Sequence, residues 1–241
     1  MPNWCENKLK IGNPSKIAEF EQNYLTQTDD VWNFDFNSVL PRPKSLDEIT
    51  VFGWPDGKKE MYQLLSQFEF DNEADKLFRR GLLTFNGRKV ADNFVGDNAE
   101  AVEKAKALVE SSLNCTEGRD RLLQAFLEVF NEIVYGKSDW YQWSIENWGC
   151  KWSCAHFSMG ITPGEYFFDT PWAPPLPLIE ELSVRHPEYQ ISGAYSEPGA
   201  DFAGKYAADD NGYLLDAEFE VREIMKSEFG YSDDDLEDWV N

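Results

Sequence analysis

Basic side chains are scarce in this 241-residue chain. Twenty-two Lys and Arg stand against 44 Asp and Glu, a formal net charge of −22. A surface that neutralises phosphates needs clustered Lys and Arg, so this balance argues against direct nucleic-acid binding and against docking on an anionic membrane. Histidine occurs only twice, at His156 and His186. The four cysteines (Cys5, Cys115, Cys150, Cys154) are too few for a disulfide framework in a chain of this length. No apolar run approaches the roughly 20 residues that span a bilayer. The opening MPNWCENKLKIG has neither the basic start nor the apolar stretch of a secretion signal. Together these absences predict a protein of the cytoplasm.

Recurrent catalytic signatures are missing too. There is no Gly-x-Ser-x-Gly elbow. Gly136-Lys137-Ser138 copies the end of a phosphate loop, but Asn131 stands where the upstream glycine belongs, and the tripeptide closes a helical stripe instead of opening one. Cys150, Cys154 and His156 have spacings compatible with zinc, and in a strand Cys154 and His156 would share a face. A structural zinc site needs four ligands, however, and the second pair is absent. No metal and no cofactor are expected, and buried cysteines are the simpler reading.

What the chain has in abundance is aromatic surface. Hydrophobic residues at 42% and aromatics at 15% supply ample core material, which excludes global disorder. Five of the nine tryptophans fall between Trp140 and Trp172, a stretch broken by Gly149, Gly160 and Pro163-Gly164. Indoles carry the largest apolar area of any side chain, so this cluster predicts the place where several elements meet. Its carboxylates and near neighbours (Glu146, Glu165, Asp169, Glu197, Asp201) are the candidates for acid–base chemistry, because indole packing raises a carboxyl pKa.

Along the chain, Glu6 to Gly12 alternates as a strand, and Asn13-Pro14 caps a helix whose apolar face is Ile17, Phe20, Tyr24 and Leu25. Val31 to Phe36 alternates again. Residues 46–138 read as helical, with stripes at Met61–Phe68, Val102–Leu113 and Leu122–Ile133. Strands follow at Lys151–Met159 and Glu165–Asp169, then a helix through Leu178, Ile179 and Leu182 that His186-Pro187 stops. Tyr189–Tyr195 and Phe202–Ala207 alternate, Asp209–Gly212 makes a hairpin turn, and Val221, Ile224, Met225 and Phe229 form a last amphipathic helix. This order divides the chain into a first part of a sheet core (1–45), a helical insertion (46–138), a second part of the core with the tryptophan-rich box (139–215), and a C-terminal helix with an acidic end (216–241). That end carries Asp233, Asp234, Asp235, Glu237 and Asp238, which read either as a docked last turn or as a surface for a partner.

Asn147-Trp148-Gly149-Cys150-Lys151-Trp152, the opening Met1-Pro2-Asn3-Trp4-Cys5, the run from Phe168 to Pro175 and the run from Glu197 to Gly204 resemble the YubB ferredoxin-like family of phage and conjugative-plasmid proteins. The family pattern has threonine at the place of Cys150, so cysteine there departs from it and weakens the zinc reading further. The resemblance implies an α+β fold, a ferredoxin-like mixed or antiparallel sheet with helices on one face and a helical insertion. It also implies a mobile-element origin and assigns no catalytic residue. Trp148, Lys151, Trp152, Asp169, Trp172 and Glu197 are the candidate binding residues, with a purely structural role as the alternative. The functional expectation is a non-enzymatic acidic accessory protein that binds a host protein with a basic surface, as an inhibitor of host defence or a mimic of nucleic acid. A carboxylate-based hydrolase acting on a sugar or nucleotide in a tryptophan-lined pocket is the first alternative. An inert virion component is the second.

Overall fold

The computed structural model describes residues 3–29, 31–47, 128, 131–132 and 134–237. The three helical stripes predicted between Met61 and Ile133 lie outside the described residues, as do Cys115 and Asp238. The chain divides into two units, one formed by 1–41 with 144–241 and the other by 42–143.

The first unit is built on β1 (Trp4–Ile11). Its odd-numbered side chains Cys5, Asn7, Leu9 and Ile11 are buried, while Trp4, Glu6, Lys8 and Lys10 are half-buried on the opposite face, the two-residue period of a strand covered unequally on its two sides. Asn13 then caps a short turn by accepting from the Ser15 amide at 3.1 Å, and α1 (Ile17–Tyr24) follows. The hairpin of β2 (Leu25–Thr28) and β3 (Val31–Phe34) comes next. The predicted strand over Val31–Phe36 ends at Phe34, because the Asp35 carboxylate caps α2 (Phe36–Val39), accepting from the Asn37 amide at 3.0 Å.

The second unit contributes α3 (Lys44–Asp47) to the described residues. Within it Arg42 pairs with Asp47 at 2.6 Å, and the Ser45 hydroxyl donates to Asn131 Oδ1, also at 2.6 Å. The helix α4 (Trp140–Asn147) crosses the boundary between the units.

β4 (Ala155–Met159), β5 (Glu165–Pro171), α5 (Leu176–Arg185), β6 (Ile191–Glu197), β7 (Phe202–Ala208), β8 (Leu214–Phe219), α6 (Val221–Glu228) and α7 (Asp233–Glu237) complete the first unit. The sheet runs β4-β5-β1-β6-β7-β8, and every neighbouring pair is antiparallel. With α1 and α5, the strands β1, β4, β5 and β6 form a ferredoxin-like β-α-β-β-α-β arrangement, which β7 and β8 extend on one side. One face carries α1 and α5. There Phe20 packs on Tyr166 at 5.0 Å and on Phe34 at 5.8 Å, and the Tyr24 hydroxyl meets His186 Nε2 at 2.8 Å. The expected one-sided helix layer holds for α1 and α5. The opposite face carries α6, whose Ile224 seats on Ala194 and Ala203.

Two tyrosines close the middle of the sheet. Tyr195 is the register partner of Gly204, and Tyr206 is the partner of Gly193. Each ring lies where its glycine has no Cβ. Tyr206 thereby donates to the Lys8 carbonyl at 3.0 Å, and Tyr195 reaches the Asp216 carboxylate at 3.0 Å. Aromatic cover over a strand glycine excludes water from a backbone that would otherwise be bare. A Cβ on Gly193 would collide with both the Lys8 carbonyl and the Tyr206 hydroxyl. We therefore expect Gly193→Ala to cost about 2–3 kcal/mol, read as a lower midpoint in urea unfolding. A midpoint equal to wild type would show that the tyrosine cover is dispensable.

Candidate functional site

The candidate site is a cleft of about 480 Å³ on the α6 face, walled by β1, β5, His156 and the segment from Phe229 to Asp235. Its chemistry starts from strand register. Glu6 of β1 lies directly opposite Asp169 of β5, on the same face. Like charges placed opposite one another across a strand pair oppose pairing, so this juxtaposition is a cost that the rest of the cleft offsets. The Asp169 carboxylate bonds His156 Nδ1 at 2.7 Å. The Glu6 carboxylate accepts from the Tyr231 hydroxyl at 2.7 Å. Burial holds the Glu6 carboxyl above the ordinary carboxylate range, with the Asp169 charge adding to the rise and the Tyr231 hydrogen bond opposing it. The Phe167 and Phe229 rings, 6.3 Å apart, supply apolar wall.

His156 reaches this cleft because of a local irregularity. Strand β4 shifts register against β5 between Ala155 and Ser158, and His156 has a left-handed backbone with φ of 50°. Bulges of this kind redirect one side chain out of the alternation. The ring then sits edge-on to Trp4, with centroids 5.3 Å apart. The expectation that Cys154 and His156 share a strand face therefore fails. Cys154 is buried, its thiol near the Asn33 side chain at 3.0 Å and the Phe34 carbonyl at 3.3 Å, while His156 is 65% exposed at its side chain. Burial pushes the Cys154 thiol up to about 12 and raises Cys5 and Cys150 above the ordinary thiol range as well.

Of the predicted binding residues, only Asp169 lies in the cleft. Trp148 is core: it is 1% exposed, donates from Nε1 to the Leu40 carbonyl at 2.9 Å and stands edge-on to Phe36. Trp152 and Trp172, by contrast, are 37% and 52% exposed. Trp172 leaves the sheet with φ of 70°, and its amide bonds the Asn3 carbonyl. Lys151 lies over the Trp152 ring at 4.8 Å. Glu197 is 2% exposed; Oε1 accepts from the Gly199 amide at 3.0 Å, and Oε2 has no protein partner. Among the other acids near the tryptophan box, Glu165 is paired with Lys10 at 3.2 Å.

At the acidic end, Asp233 pairs with Arg222 and with Lys226 at 2.8 Å. Asp235 accepts from the Ser232 amide at 2.8 Å while its own amide meets the Ser232 hydroxyl, a reciprocal cap at the start of α7. These bonds hold both carboxyls below their ordinary range. Asp235 also lines the cleft. The residues that sequence reasoning missed are Glu6 and Tyr231, which lie 225 positions apart and meet only through the sheet. The outward phase of Glu6 on β1 was the one local signal available.

The six-stranded antiparallel sheet with its helices is a ferredoxin-like α+β fold. Residues 147–233 match the family model described as the ferredoxin-like domain in Api92-like protein. A similar solved structure is protein api92 from Yersinia pseudotuberculosis, 14% identical, covering 91% of this chain and 98% of that one with a TM-score of 0.42. No curated protein matches. Among the described residues, no helix is long and apolar enough to cross a membrane.

Two outcomes follow from the site. The folded state holds the Glu6 proton more tightly than the unfolded chain does, so stability attributable to this group falls as pH rises from the ordinary carboxylate range through its raised value. Gln at this position removes the buried charge and keeps an acceptor for Tyr231. The melting temperature of Glu6→Gln relative to wild type should therefore climb between about pH 4 and pH 7; a difference that stays flat would contradict the assignment. Second, in a Cys115→Ser background, native protein at about pH 8 should resist a disulfide-exchange reagent until denaturant is added.

Proposed function

We propose that this chain is a non-enzymatic acidic protein that captures a partner through the partner's basic surface. The observation that carries the reading is the lining of the cleft: three carboxylates (Glu6, Asp169, Asp235) beside aromatic rings, with no lysine or arginine among its described wall residues. That combination suits an ammonium or guanidinium side chain, which takes charge-assisted hydrogen bonds from the carboxylates and rests its plane on a ring. A buried arginine anchor in such a pocket is a common source of binding energy at protein interfaces. The −22 charge would speed the encounter through long-range attraction. The resemblance to the YubB ferredoxin-like family supports a finer reading: an accessory protein of a phage or plasmid, acting in the host cytoplasm on a host protein, as an inhibitor of defence.

A second reading rests on the same residues. Glu6, its proton held more tightly than usual, lies opposite the Asp169–His156 pair, and two carboxyls facing one another across a cleft are the arrangement of acid–base hydrolysis. The aromatic wall of this cleft is Phe167, Phe168, Phe229 and Tyr231.

One experiment separates the two. The protein is immobilised beside its Glu6→Gln, Asp169→Asn double variant, and a bacterial lysate is passed over both at about 50 mM and about 500 mM salt. Binding predicts a set of basic proteins retained at low salt, released at high salt and depleted about tenfold, or about 1.4 kcal/mol, on the double variant. An identical set on both columns would remove the cleft from the interaction. Turnover of a chromogenic glycoside or a nucleotide by wild type, lost in the double variant, would establish the hydrolase instead.

A further inference from the structure

A second surface of the ferredoxin-like unit extends this reading and rests on it. Among the described residues, strand β8 ends the sheet with a neighbour, β7, on one side only, and five of its six residues are exposed. Natural edges are blunted by proline, a bulge or charged side chains, lysine above all, and the two charges on β8, Asp216 and Glu218, are both acidic. Leu214–Phe219 has no proline or lysine, and its register against β7 runs without a shift. The Ala217 carbonyl lies toward β7, close to Gly204. Because the amide and carbonyl of one strand residue point to the same side, those of Asp216 and Glu218 face outward.

The surroundings select an occupant. On the α6 face of the edge, Leu215 and Phe219 stand 68% and 39% exposed. Beyond Phe219 a cleft of about 530 Å³ is lined by Phe202, Phe219 and Val221 together with Asp201, Glu218, Glu220 and Glu223, with no basic residue among its described wall residues. Lys205 lies over the Phe219 ring and is paired with Glu228 at 2.7 Å, and Arg222, between Val221 and Glu223, is paired with Asp233. A second copy of the chain pairing edge to edge would bring Asp216 and Glu218 against their own counterparts, and like charges across a strand pair repel.

We propose that β8 is a docking edge for an extended basic segment of another protein, which adds a strand beside β8 and places alternate Lys or Arg side chains among Glu218, Glu220 and Glu223. The main-chain ladder would supply affinity and the acids would supply choice of sequence.

The test uses an alternating lysine–valine octapeptide as probe and an alternating glutamate–valine octapeptide as control. Titration calorimetry at low salt should show binding of the first and none of the second. Hydrogen exchange should slow at the Asp216 and Glu218 amides when the lysine peptide is present. Glu218→Pro removes an outward donor that β7 does not use, and should weaken binding at least tenfold. Glu218→Gln keeps that donor and should weaken it no more than about threefold. Both variants are first checked by thermal melting; if Glu218→Pro does not fold, the exchange protection in wild type decides alone. Tight binding by folded Glu218→Pro, protection confined to Glu6 and Asp169, no binding of the lysine peptide, or a stable dimer in its absence would each overturn the edge proposal. Loss of binding in the Glu6→Gln, Asp169→Asn double variant, with Glu218→Pro unaffected, would assign the peptide to the first cleft and leave the proposed function standing.

Discussion

Every feature of the ferredoxin-like unit depends on β1 being a central strand with two differently covered faces. Pairing with β5 on one side and β6 on the other satisfies its backbone in both directions. Its side chains then divide by parity. Cys5, Leu9 and Ile11 enter an aromatic core under α1 and α5, whereas Glu6 and Lys8 emerge beneath α6 and the C-terminal segment. A slip of one residue would send Glu6 and both lysines into the core and Leu9 into the cleft, at a cost that no local gain offsets.

The core side of that division is held by shape. Phe20, Phe34, Phe36, Phe168 and Trp148 form a chain of edge-on and tilted rings between 5.2 and 6.3 Å apart, geometries that suit aromatic quadrupoles. The outer side is held by charge. Glu228 gathers Lys8 and Lys205, and Glu165 gathers Lys8 and Lys10, so these three lysines are occupied within the fold. The carboxylates of the cleft are left with a tyrosine, a histidine and the Ser232 cap as hydrogen-bond partners.

The tryptophan-rich stretch shows how composition and placement separate. Its density of indoles pointed to a meeting place of elements, and Trp148 occupies one, since its ring packs on Phe36 and its N–H is satisfied by Leu40. Trp152 and Trp172 come from the same stretch and remain half outside. Trp152 underlies a lysine, and Trp172 turns out of the sheet through a left-handed residue. Hydrophobicity reports that a side chain gains by burial, and whether the chain path brings it under cover is a separate matter.

Local chemistry alone determined a good part of this protein. The alternation of β1, the Asn13-Pro14 start ahead of α1, the helix through Leu178 and Leu182, the turn at Asp209–Gly212 and the acidic excess are all written in neighbouring residues, because each rests on backbone dihedrals or on a count of charges. The edge strand β8 and the helix α4 went unread, since their exposed or mixed side chains carry little periodicity. Only the tertiary structure decided that Glu6 faces Asp169, that Tyr231 comes back to meet Glu6, and that a bulge swings His156 away from Cys154. Those meetings depend on strand order and register between segments up to 225 positions apart, and no short window of residues encodes them.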